Sequence, residues 1–79
     1  SPSEIETSLN GKVWEKQIDK SEYIGHKDRY KVITNHFHLG RMLVTVVSED
    51  MPDSDFYRKS PELEDAYFNL LYDHQKITA

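Results

Sequence analysis

The chain has 79 residues, 37% of them hydrophobic and 30% charged, with a net charge of -4 and a pI near 5.4. That length allows one globular domain with a modest core, and the acidic balance argues against nucleic acid as the partner. The absence of cysteine excludes disulfides and thiolate metal sites and fits a cytoplasmic protein, and no apolar run approaches the roughly 20 residues of a membrane span.

Residues 1–10 read as a lead-in from a preceding domain. Ser3 is placed to cap a short turn through Glu4, Ile5 and Glu6, which Asn10-Gly11 then stops. The opening Ser1-Pro2-Ser3-Glu4 is neither basic nor apolar, so it is not a signal peptide, and the missing initiator Met fits an excised or processed end. The domain itself is expected over 11–75, with a frayed tail at 76–79.

Lys12 to Ile18 is a β-leaning run. Asp19-Lys20-Ser21-Glu22 has capping-box spacing and predicts a short helix, with Tyr23, Ile24 and the Lys27 stem facing inward. Tyr30 to His38 and Arg41 to Ser48 read as two strands joined by a tight turn at Leu39-Gly40. With that turn, Phe37 opposes Met42, Asn35 opposes Val44 and Ile33 opposes Val46. One face then carries Ile33, Phe37, Met42, Val44 and Val46. The other carries Val32, Thr34, His36, His38, Leu43, Thr45 and Val47.

Glu49 to Lys59 is an acidic loop. Ser60 and Pro61 are placed as cap and first residue of a second helix. Glu62, Glu64 and Asp65 suit the positive end of its dipole. Leu63, Ala66, Tyr67, Leu70, Leu71 and His74 recur on one side at helical spacing. The order is β-α-β-β-α, an α+β fold. It predicts a three-stranded antiparallel sheet of order 1-3-2 with both helices on one face, half of a ferredoxin-like sandwich.

No catalytic, cofactor-binding or metal-binding residue is assigned. His36 and His38 share a strand face, but a zinc site needs three or four ligands and spacing supplies no third. Asp50, Asp53 and Asp55 lack the glycine and spacing of a calcium loop. Glu62, Glu64 and Asp65 read as dipole partners rather than acid-base pairs. No nucleophile elbow or P-loop is present. Trp14 reads first as core and second as an interface residue. Val32, Leu43 and Val47 join it as interface candidates because they lie on the face that the predicted helices leave open.

Two blocks carry a family resemblance: Gly11-Lys12-Val13-Trp14-Glu15, and Ser60-Pro61-Glu62-Leu63-Glu64-Asp65-Ala66-Tyr67 continuing through Phe68-Asn69-Leu70-Leu71. Together they resemble the region after the nucleotide-binding core in ATP-binding subunits of bacterial ABC transporters, especially drug, peptide-antibiotic and sodium exporters. In that family a "G-K-V-W-E"-like strand follows the core and a "P-x-L-E-D-x-Y/F-L-x-L" helix closes the chain. Ser1-Pro2-Ser3-Glu4-Ile5 is similar to the turn that leaves the core. The resemblance implies a non-catalytic C-terminal domain, regulatory or structural, of an ATPase that drives export and lies at the inner face of the cell membrane. ATP and Mg would belong to the parent, not to this segment. The implied partners are the upstream nucleotide-binding domain, a second copy in an ATPase dimer and the transporter's membrane subunit, with no membrane insertion by this segment. The family's P-loop, signature motif, Walker B carboxylates and switch histidine match no position here. The alternative expectation is a stand-alone ligand-binding or protein-interaction module of ferredoxin-like type.

Overall fold

A computed structural model describes residues 9–78, with side chains described through Gln75. The turn placed at Ser3–Glu6, most of the lead-in and Ala79 lie outside the described residues. In order, the elements are β1 (Val13–Ile18), a 3-10 turn (Lys20–Glu22), α1 (Tyr23–Arg29), β2 (Lys31–His38), β3 (Arg41–Val47), β4 (Tyr57–Arg58) and α2 (Leu63–Thr78). The segment expected as a tail is therefore helical through Thr78.

The fold is α+β, with an antiparallel sheet of order β2-β3-β1-β4. The expected 1-3-2 arrangement holds for the first three strands, and β4 is an addition at the outer edge of β1. It pairs Arg58 with Trp14 and Tyr57 with Glu15. The helices correct the expected layering, because they lie on opposite faces. The face under α1 holds Trp14, Ile18, Met42, Val44 and Val46, closed by Phe56 from the loop before β4, with Tyr23, Tyr30 and Val32 packed around them. The face under α2 holds a smaller cluster of Leu9, Val13 and Ala66, flanked by Val47. β1 and β3 alternate apolar residues to both faces, so each face must be covered.

The hairpin turn is as expected. Leu39 and Gly40 both have positive φ, 51° and 78°, the requirement of a two-residue turn matched to strand twist. His38 pairs with Arg41, Phe37 with Met42 and Asn35 with Val44. Beyond Thr34 the register shifts, so Val32, not Ile33, pairs with Val46. The bulge corrects the facing of this strand: its extra residue turns Val32 onto the larger core, where the expected strict alternation had placed it outside.

α1 also turns differently. Asp19 makes no side-chain cap; its carboxylate lies 3.5 Å from Arg41 Nε. Tyr23 and Tyr30 pack on the core and His26 is buried between them, while Ile24, expected inside, is exposed. In α2 the first helical residue is Leu63, not Pro61. The Glu62 N–H donates to Asp65 Oδ2 at 2.8 Å. This is the back-reaching half of a capping box, and it displaces the expected Ser60 cap by two residues.

Candidate functional site

α2 is held down by polar contacts more than by its leucines. Asp65 is buried, and its Oδ2 lies 2.6 Å from Lys59 Nζ. Glu62 Oε1 is 3.2 Å from the same ammonium. Burial lowers the Lys59 pKa, but hydrogen bonds and charges from Asp65 and Glu62 outweigh it and hold the group above its ordinary 10.5. Lys59, which directly follows β4, is itself tied to β1, since its N–H donates to the Val13 carbonyl at 2.9 Å. Further along, Lys31 reaches Asp73 at 2.8 Å and lies over the Tyr72 ring. These anchors rotate α2 so that Asp65, Ala66, Phe68 and Asn69 turn inward, burying an acid where the apolar pattern would place a leucine.

The consequence is an apolar stripe on the outside. Leu63, Tyr67 and Leu70 are 53%, 58% and 57% exposed. Spaced four and three apart, they share one side of the helix. With Ala66 as floor they line an open groove of about 680 Å3, and Glu62 and Glu64 stand at its N-terminal end. Ala66 also belongs to the cluster of Leu9 and Val13, so Leu9 lies beside this groove.

The four residues expected at an interface sit elsewhere. Trp14 is 5% exposed, its Nε1–H donates to the Ser48 carbonyl at 3.0 Å, and the Arg58 guanidinium lies 4.9 Å from its ring. Its first reading, core, is the one observed. Val32 packs on the larger core and Val47 on the smaller. Leu43 is half-buried across from His36. Trp14 and Val32 are taken up by the cluster under α1, and α2 covers the face that carries Leu43 and Val47.

His36 and His38 are exposed on the α2 side of the sheet. His36 borders a cleft of about 140 Å3 with Glu15, Thr45, Lys59, Glu64 and Asp65. In this cleft Asp65 is engaged through Oδ2 by both Lys59 and the helix cap, so that oxygen already has two structural partners. Among the described residues no group of three or more His, Cys, Asp or Glu side chains is placed to hold a metal ion.

A second polar constellation lies on the α1 side. Lys16 Nζ is 2.9 Å from His26 Nε2 and 2.8 Å from Asp53 Oδ2, and 5.2 Å from the centre of the Phe56 ring. Burial raises the Asp53 pKa, but hydrogen bonds from Lys16 and the Asp55 N–H and the charge of Lys16 leave it below its ordinary 3.8. No hydroxyl or thiol is among these contacts, so the arrangement is an ion-pair network rather than an activated nucleophile.

Comparison of the chain with protein families, with curated sequences and with solved structures finds no match. Among the described residues no helix is long and apolar enough to cross a membrane. Sequence reasoning missed the stripe because Leu63, Tyr67 and Leu70 obey the same helical spacing as a core face. The signal that separates the two is Asp65, which reads as a dipole partner in sequence but is the buried residue in the fold.

Proposed function

We propose that the chain is a non-catalytic accessory domain that docks through the α2 stripe onto the domain preceding it in the parent polypeptide. The observation that carries this reading is the exposure of Leu63, Tyr67 and Leu70 on one side of an otherwise anchored helix. Burying each would contribute about 1.5–3 kcal/mol before the cost of association. Two features favour the preceding domain as occupant. Leu9 packs in the cluster of Ala66, the floor of the groove, so a domain joined to the chain upstream of Leu9 would meet the groove at high effective concentration. Glu62 and Glu64 at the rim suit a surface bearing lysine or arginine. The resemblance of Gly11–Glu15 and Ser60–Leu71 to ABC-transporter ATP-binding subunits makes that neighbour a nucleotide-binding domain and the parent's task ATP-driven export. A stand-alone interaction module would use the same stripe on a separate protein.

The test is made in the full parent chain. Leu63→Lys, Tyr67→Lys and Leu70→Lys together are expected to change ATPase rate or dimerisation while the fold of this domain persists. A parent chain with no Walker A motif upstream would remove the transporter reading. Unchanged rate and unchanged dimerisation in the triple variant would remove the docking reading.

A further inference from the structure

We infer that His26 is a protonation-sensitive latch that fastens α1 and the 49–56 loop to the sheet while neutral and releases them when charged. The tautomer follows from its two partners. His26 Nδ1 is 2.8 Å from the Glu22 carbonyl, which only accepts, so Nδ1 carries the hydrogen. His26 Nε2 is 2.9 Å from the Lys16 ammonium, which only donates, so Nε2 offers a lone pair. Both demands are met by a neutral imidazole alone. Adding a proton places an N–H against an N–H at hydrogen-bond distance, inside a site where His26 is 4% exposed.

The contact joins three separate pieces of chain. Lys16 comes from β1, His26 from α1 and Asp53 from the loop. The loop is drawn in at the same point by the Tyr30 hydroxyl, which donates to the Pro52 carbonyl at 3.4 Å, and by Phe56, which packs against both the Tyr30 and His26 rings. The titratable and charged groups facing the imidazole are Lys16 from the sheet, Asp53 from the loop and the uncharged Tyr30 phenol from the end of α1. Glu22, on the turn before α1, contributes its backbone carbonyl. With His26 neutral, Lys16 and Asp53 cancel. With His26 charged, the buried set carries a net positive charge and Asp53 must serve two cations. The Lys16 side chain is 12% exposed and His26 4%, so water screens that excess weakly even though Asp53, at 32%, meets solvent. α1 has only seven residues, too short to hold by itself once its inward face is released. The latch is independent of the α2 stripe, which lies on the opposite side of the sheet.

Nuclear magnetic resonance on the wild-type chain tests the latch directly. At about pH 8 the His26 nitrogen shifts are expected to be those of the Nδ1–H tautomer. Between about pH 8 and about pH 5.5, protection of the α1 amides is expected to fall at least tenfold after correction for intrinsic exchange. His26→Gln keeps an uncharged acceptor and is expected to flatten that response. Lys16→Met removes the opposing ammonium and is expected to shrink it, which also covers the case that the glutamine variant fails to fold. An Nε2–H tautomer, constant α1 protection in the wild type, or an undiminished acid response in either folded variant would overturn the latch.

Discussion

On the α1 side of the sheet, Trp14, Ile18, Met42, Val44, Val46 and Phe56 form one continuous apolar cluster. On the α2 side, three small or medium residues, Leu9, Val13 and Ala66, do the apolar work, and the Lys59–Asp65 pair does much of the rest. The contrast separates two ways of fixing a helix. A short helix such as α1 is fixed by what it buries. The longer α2 is fixed by a buried charge at its start and an ion pair at Asp73, and that leaves Leu63, Tyr67 and Leu70 available for something outside. A sheet face held by charge can thus support a helix without consuming its leucines.

The sharpest way to break this comparison is to damage each side in its own currency. Trp14→Ala removes the largest member of the α1-side cluster and is expected to destabilise by about 3–5 kcal/mol in urea unfolding. A domain of this size has little stability to spare, so the variant is expected to be largely unfolded at room temperature. Asp65→Ala is expected to cost less, about 3 kcal/mol, because Lys59 is left in a mostly buried site but keeps Glu62. A cost below that of an ordinary surface change would mean that α2 is not charge-anchored.

The same pair has a pH signature with a definite sign. Lys59 is held above its ordinary value in the fold. Its contribution is therefore fully present below the unfolded lysine value of about 10.4 and is lost as pH rises through the higher folded one. Wild-type stability is expected to fall in that alkaline window, and Asp65→Ala to remove most of the fall. Acid has the opposite reach through Asp53, whose lowered folded value makes its share of stability present above the ordinary carboxylate range and lost below it.

Much of this architecture is legible in the chain. Leu39-Gly40 marks the hairpin because only a tight turn fits between two β-leaning runs, and the register follows from it as far as Thr34. It fails beyond Thr34 because a bulge leaves no mark in an alternating pattern until one knows which valine is inside. β4 is two residues long, too short for any periodicity to register. His26 was hidden by its chemistry: Tyr23, His26 and Tyr30 have helical spacing, but a histidine read as polar does not count toward an apolar face. The groove was hidden for the converse reason, since exposed and buried leucines on a helix have the same spacing. The turn itself offers a smaller test of legibility. Leu39 holds φ of 51°, a region that costs an L-residue with a bulky side chain about 1 kcal/mol. Leu39 is 88% exposed, so nothing is lost by replacing it. Leu39→Asn is expected to stabilise by about 0.5–1 kcal/mol, read as a raised urea midpoint.

The smallest expected effect discriminates most. If the α2 stripe were a poorly packed part of the core, Leu63→Lys, Tyr67→Lys and Leu70→Lys would each cost what a half-buried apolar group costs, and the triple variant would lose several kcal/mol. If the stripe serves a partner, the isolated domain has nothing to lose there, and each change is expected to stay within about 0.5 kcal/mol. Lysine also suits these sites locally, since Glu64 and Glu62 stand nearby and lysine is a good helix former. The urea midpoint of the isolated domain and the association measured in the parent chain must therefore move independently: the first stays, the second falls. Any variant in which both fall together would place these residues in the core after all and would join the two sides of the sheet under one rule.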